Sequence, residues 1–254
     1  MKAILLAGGY AKRLWPLTRD CPKSLLPVAG KPIIEHIFDG IEKIAAINEI
    51  YLSTNLKFET NFKEWLKGYE GSKEVELVIE ETRDEAEKMG AIGALQFLLA
   101  RRGLKEDVLI IGGDNLFDFD LHDLIAFQAD KKKSVVLLYD MGDKERVKGK
   151  FGVLEIDSEF KIIHSEEKPE EPRSTLISTA CYIFSKEDLA LINDYLEAGN
   201  SPDAIGFFVS WLCERRDVYG LIHNGLWFDI GSFDDYERAN AAYGEIAKLP
   251  KKLK

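Results

Sequence analysis

The run "AILLA" at residues 3–7 is apolar without interruption. A strand with one face in water alternates apolar and polar residues. An unbroken run of this length instead belongs to a strand buried on both faces, as in a parallel sheet covered by helices. The residues that follow supply those helices. In "KPIIEHIFDGIEKIAAI", Ile33, Ile34, Ile37, Ile41 and Ile44 form a helical stripe, and Pro32 stands where a first helical turn tolerates proline. The alternation continues through "EIYLST", "FETNFKEWLKG", "VELVIEE", "MGAIGALQFLLARRG", "DVLIIGGD", "LHDLIAFQADKKK" and "SVVLLYD". Strand–helix–strand units over about residues 1–140 predict an α/β fold with a doubly wound, mainly parallel, Rossmann-like sheet.

From about residue 145 the texture changes. "FGVLEID", "KIIHSEEKP" and "STACYIFS" follow one another with no long helix between, which predicts an inserted antiparallel β region. Helices return in "KEDLALINDYLEAG" and "FFVSWLCERR", and again in "SFDDYERANAAYGEIAKL" after "VYGLIHNGLWFDIG". No repeat or linker interrupts the chain, so residues 1–254 read as one domain. Its parts are an alternating strand–helix portion at about 1–140, a portion with the inserted β region at about 145–230, and a C-terminal helix with a basic tail at about 232–254. The tail "PKKLK" and Lys131–Lys133 read as solvated charge.

Composition narrows the function. The 254 residues carry a formal charge of −10, which argues against nucleic-acid and membrane-surface binding, since both need a basic footprint. Any phosphate chemistry must come from a local basic site. Three cysteines, Cys21, Cys181 and Cys213, are odd in number and far apart, as suits a reducing cytoplasm. The opening apolar run is too short for a signal peptide or a membrane span.

Four features carry chemistry. "LAGGYAKRLWPLTRDCPKSLLP" leaves the first strand at its carboxyl end, the edge where open α/β sheets bind ligands. Gly8 and Gly9 let backbone N–H groups approach an anion, Arg13 offers a fork to phosphate oxygens, and Lys23 offers a point charge. The loop matches neither the dinucleotide fingerprint nor the Walker loop. "LIIGGDNLF" places Asp114 at the same edge, where it either helps hold Mg²⁺ or caps the next helix. "WFDIG" places Asp229 after an apolar stretch as a second candidate carboxylate. "SEEKP" places Glu167 and Lys168 at a strand end in the inserted region.

Taken together, these features resemble, in order and spacing, the sugar-1-phosphate nucleotidylyltransferases, and especially the group that includes glucose-1-phosphate thymidylyltransferase. That family opens approximately L-A-G-G-x-G-T-R-L-x-P-L-T-x-x-x-P-K-x-L-L-P-V-x-x-K-P, and residues 6–32 read "LAGGYAKRLWPLTRDCPKSLLPVAGKP". The likeness extends through "GAIGAL", "GGDNLF", "FGV", "EEKP", "STACYIFS" and "WFDIGS". It implies the nucleotide-diphospho-sugar transferase type of fold. Leu6, Ala7, Gly8 and Gly9 would line the nucleotide, with Gly90 near the base. Arg13 would grip the triphosphate and Lys23 the reacting phosphates. Asp114 and Asp229 would bind Mg²⁺. Gly152, Glu167 and Lys168 would face the sugar phosphate, with residues 180–182, Cys181 among them, beside it.

The chain departs from the pattern at Ala11-Lys12, where the family has Gly-Thr, and at Glu80 and Glu81, near the family's base-reading glutamine. Glu81 is the candidate base contact; a carboxylate only accepts hydrogen bonds and so suits guanine's N–H edge. The expected reaction joins a hexose 1-phosphate to an NTP, with glucose 1-phosphate and dTTP as the lead. The alternatives are GTP with mannose 1-phosphate, UTP with glucose 1-phosphate, a cytidylyltransferase acting on a phosphorylated alcohol, and a non-catalytic nucleotide-sugar sensor. A cytoplasmic protein is expected, and a homo-oligomer is compatible with the fold.

Overall fold

The computed structural model describes residues 1–248; the basic tail lies outside them. The first half alternates as the sequence predicts. After β1 (Lys2–Leu6) and the long loop come a two-residue pair, β2 (Pro27–Val28) and β3 (Lys31–Pro32), and then α1 (Ile33–Glu42). Next are β4 (Glu49–Asn55), α2 (Glu59–Lys67), β5 (Glu74–Glu80) and α3 (Gly90–Arg102). They are followed by β6 (Val108–Gly112), β7 (Asn115–Phe117), α4 (Leu121–Lys131) and β8 (Ser134–Asp140). A short α5 (Lys144–Val147) leads to β9 (Gly152–Ile156), β10 (Ile162–Glu167) and β11 (Leu176–Phe184). The chain closes with α6 (Lys186–Leu189), α7 (Ile192–Glu197), α8 (Ile205–Cys213), β12 (Val218–His223), β13 (Trp227–Asp229) and α9 (Phe233–Lys248). The single helix expected over residues 186–199 is two short ones, α6 and α7.

The main sheet runs β10-β9-β11-β6-β1-β4-β5; β8 branches from β11, and β12 pairs parallel with β8. Its parallel part pairs β1 with β6 and β4, and β4 with β5. The inserted region is antiparallel: β10 pairs β9, and β11 pairs both β6 and β8. β1 shows why the run "AILLA" is unbroken. Ala3 and Leu5 face one hydrophobic cluster, shared with Ile34, Ile37 and Ile41 of α1, while Ile4 faces another, shared with Leu95 and Leu98 of α3. Both faces of the sheet are therefore dry, and helices cover each.

A third, smaller cluster positions the opening loop. Leu14, Leu26 and Val28 pack on Leu116, Ile230 and Ala239, so the loop is braced by α9 from the far end of the chain. Tyr236 donates its hydroxyl to the Pro27 carbonyl at 2.6 Å, and the Ala29 N–H donates to Asn240 Oδ1 at 3.0 Å. No helix among the described residues is long and apolar enough to cross a membrane.

Candidate active site

A cavity of about 530 Å³ lies along the carboxyl edge of the parallel strands. Its floor is the opening loop. The N–H groups of Gly8, Gly9, Tyr10 and Ala11 donate to no acceptor among the described residues, while the loop's carbonyls are held: Asn55 Nδ2 donates to Gly8 O at 2.8 Å, and Thr18 Oγ1 donates to Ala11 O at 2.7 Å. A fixed loop with free, consecutive amide donors is an anion cradle. Arg13 is exposed beside it and forms no ion pair with a described residue.

The centre of the cavity holds three charges. Lys23 Nζ lies 2.5 Å from Asp114 Oδ2, and Asn115 Nδ2 donates to Asp114 Oδ1 at 2.8 Å. Asp229 enters from β13, which pairs antiparallel with β7 in a register that sets Asp229 opposite Asn115; Ile230 N donates to Asp114 O at 3.1 Å. The two aspartates, distant in sequence, are thus neighbours. Burial opposes ionisation of Asp114, but the ammonium of Lys23 outweighs it and holds the carboxyl below its usual range. Asp229 goes the other way: burial and then the charge of Asp114 push it up, offset in part by Lys23 and Arg13. Asp114 does not cap α4; Asp120 does, accepting from His122 N at 3.0 Å.

A buried carboxylate stands at each end of the cavity. Glu80 is the last residue of β5, at one edge of the sheet, and is only 5% exposed. Ser53 Oγ donates to its Oε1 at 2.9 Å, and a Cβ on Gly8 would lie 2.7 Å from that oxygen. Glu167 is the last residue of β10, at the other edge, packed against Gly152 and Gly206, with Lys168 Nζ 3.7 Å from Oε1. Burial raises the pKa of both, partly countered by Ser53 at Glu80 and by Lys168 at Glu167.

The cavity gathers Leu6, Ala7, Gly8, Gly9, Arg13, Lys23, Gly90, Asp114, Gly152, Glu167, Lys168 and Asp229. Two of the expected residues lie elsewhere. Glu81 is exposed and outside the lining; β5 ends at Glu80, which faces the cavity, and Glu81 is the first residue beyond the strand. Cys181 is fully buried in the core on the opposite face of β11, packed with Leu109 and Ile183, while Ala180 and Tyr182 face the cavity. Burial also takes the Cys181 thiol far above its usual range.

Other lining residues gave no strong sequence signal. Trp227 donates Nε1 to Asn115 Oδ1 at 3.0 Å, and Ser178 donates to the Tyr182 hydroxyl at 2.8 Å. The segment at residues 202–206 closes over Gly90: Ala91 N and Ile92 N donate to the carbonyls of Asp203 and Pro202, both at 2.9 Å. Gly90 has φ +75° and no room for a Cβ against that backbone.

Comparison with known proteins agrees with this architecture. The nucleotidyl transferase family model matches residues 2–246. The bifunctional protein GlmU of Methanocaldococcus jannaschii is 32% identical over 240 residues, covering 94% of this chain and 53% of its own length. The mannose-1-phosphate guanylyltransferase of Mycobacterium tuberculosis is 29% identical over 245 residues, covering 94% and 63%. This chain therefore spans between half and two thirds of these relatives. A Bacillus anthracis protein assigned as a glucose-1-phosphate thymidylyltransferase superposes with a TM-score of 0.84 at 28% identity, over 99% of this chain and 98% of that one. A UDP-glucose pyrophosphorylase solved with UDP-glucose shares the fold, with a TM-score of 0.81 at 21% identity, over 96% and 98%. The chain belongs to the nucleotidyl transferase family.

Proposed function

We propose that the protein transfers a nucleotidyl group from an NTP to a hexose 1-phosphate, releasing pyrophosphate. The observation that carries this reading is the order of groups along one cavity: buried carboxylate, amide cradle, the Lys23–Asp114–Asp229 centre, buried carboxylate. Such a cavity suits a ligand pair that is polar at both ends and anionic in the middle. A phosphate oxygen of the sugar phosphate attacks the α-phosphorus in line, and the bond to the departing pyrophosphate oxygen breaks. No protein nucleophile is required, so catalysis reduces to positioning and charge stabilisation.

Each residue then has a task. The amides of residues 8–11 hold the triphosphate, Arg13 neutralises its outer oxygens, and Lys23 stabilises charge on the transferring phosphorus. Glu167 accepts hydrogen bonds from sugar hydroxyls, and Lys168 stands beside it. The donor set suits Mg²⁺: two adjacent carboxylates, one destabilised by the charge of the other, leave the remaining positions to phosphate oxygens and water. Asp114 and Asp229 would hold the ion, which when bound draws charge from the phosphate oxygens.

The test is pyrophosphate release, crossing glucose, mannose, galactose and N-acetylglucosamine 1-phosphates with dTTP, UTP, GTP, CTP and ATP. One dominant pair is expected. Silence across the grid overturns the sugar reading and points to phosphorylated alcohols as acceptors.

A further inference from the structure

We propose that His223 is a positioning residue for the metal site: with Asp118 and Leu226 it clasps the outer end of the β7–β13 ribbon and so fixes Asp229 against Asp114. This rests on the reading of the two aspartates as metal ligands given above.

The ribbon is slight for what it carries. Three residue pairs join its strands, Trp227 to Phe117, Phe228 to Leu116 and Asp229 to Asn115. Two strands paired over so short a length do not hold themselves together in water. Yet one strand begins directly after Asp114 and the other ends at Asp229, so the ribbon sets the spacing of the two carboxylates. Its inner end is fixed, because Ile230 is fully buried and its N–H donates to Asp114 O. Its outer end, at Leu226, lies about 10 Å from Asp229, three residues at about 3.3 Å each.

His223, the last residue of β12, secures that outer end. Asp118 N donates to Leu226 O at 3.2 Å, and Leu226 N donates back to Asp118 Oδ1 at 2.9 Å. His223 Nε2 lies 2.9 Å from the same Oδ1 and 3.3 Å from Leu226 O. Both neighbours are acceptors, so Nε2 carries the hydrogen, and the imidazole bridges carboxylate and carbonyl. The turn wraps this contact so closely that a Cβ on Gly225 would meet both Asp118 Oδ1 and the ring. His223 is 7% exposed and does not line the cavity. Its ring lies between Phe119, at 5.3 Å between centroids, and Tyr139, at 6.3 Å; Tyr139 in turn lies 5.6 Å from the Trp227 ring. One side chain thus ties β12, the end of β7 and, through Tyr139, β8 to the strand that carries Asp229. With the clasp open, β13 pivots about Ile230 and the carboxylate pair loses its preset spacing. Ligands that must be ordered on binding hold a metal less tightly.

The probe is Mn²⁺ alone, which like Mg²⁺ takes carboxylate and water oxygens. Electron paramagnetic resonance of the free ion reads its binding without any turnover. Asp229→Asn should lose most of the wild-type affinity. His223→Ala should bind about tenfold more weakly than wild type, the low end for residues that orient metal ligands. His223→Gln should recover most of that loss, since its amide N–H can donate to the same two acceptors. A residue that only supports the fold would lower the melting temperature and leave the Mn²⁺ affinity of the folded protein unchanged. That result overturns the proposal, as does a His223→Gln variant as weak as His223→Ala. Should His223→Ala fold poorly, Asp118→Asn replaces it: the variant keeps an acceptor for Leu226 N but gives up the charge facing His223. Weaker Mn²⁺ binding there supports the clasp, and unchanged binding overturns it. The two readings fail separately. Equal affinity in wild type and Asp229→Asn removes the metal reading and this proposal with it. Affinity lost in Asp229→Asn but kept in His223→Ala overturns this proposal alone.

Discussion

The carboxylate of Glu167 occupies the space in which any side chain at residue 206 would begin, so Glu167 can hold this position only because residue 206 is glycine. Gly206 is the second residue of α8, and Glu167 ends β10; their contact ties the inserted β region to the helical layer at the cavity wall. A methyl group there must displace the carboxylate. We therefore predict that Gly206→Ala raises the KM for the sugar phosphate at least tenfold while changing NTP binding little, with a stability loss of about 1–3 kcal/mol from overpacking. Steady-state kinetics in both substrates and urea denaturation check this. An unchanged sugar KM would move the sugar away from Glu167.

Lys23 is predicted to matter for the reaction more than for binding. It comes from the opening loop and pairs with Asp114 at 2.5 Å, and the amides of residues 8–11 remain to hold the triphosphate without it. Lys23→Ala should bind NTP with modest loss and turn over roughly 100-fold more slowly, the usual cost of one such contact. Full activity in the variant would disconnect the loop from the chemistry.

Asp114→Asn should leave the fold intact, because the backbone carbonyl still accepts from Ile230 N and the amide oxygen can still accept from Asn115 Nδ2, the Lys23 ion pair alone being lost. It should remove most turnover, and excess Mg²⁺ should not restore it. Wild-type activity should vanish with EDTA and return with Mg²⁺. Turnover near the wild-type level in Asp114→Asn would remove this residue from the metal site.

Gly90→Ala is predicted to destabilise the protein by about 2 kcal/mol or more. Its φ of +75° disfavours any side chain, and the carbonyl of Pro202 fills the space a Cβ would need. Urea denaturation of the variant measures the loss directly; a value below half a kcal/mol would mean that the segment at 202–206 yields without cost.

Glu167 should also leave a signature in pH. Burial raises its folded pKa, against Lys168, so the folded state holds its proton to higher pH than the unfolded chain does. The buried charge therefore costs stability above the folded pKa, and the cost fades as pH falls through that value towards the unfolded pKa. Glu167→Gln should melt higher than wild type at pH 7.5, with the gap closing towards pH 4. A gap that widens in acid would show the carboxylate to be stabilised rather than penalised by its surroundings.

Much of the molecule was legible in the chain itself. Unbroken apolar runs, helical stripes and the glycine ends of helices depend on neighbours a few residues away, so "AILLA", α1 and α3 could be read directly. The same held for Asp114, which stands at the carboxyl edge of the sheet because it follows directly on an apolar strand. Tertiary structure alone decided the rest, because it turns on which distant strands meet and which face a side chain takes. The β7–β13 pairing brings Asp229 to Asp114. Strand β5 ends with Glu80 facing the cavity and leaves Glu81 outside it, and the pleat of β11 sends Cys181 into the core. One residue of register reverses a side chain, and nothing local in the sequence sets that register; packing of the whole sheet does.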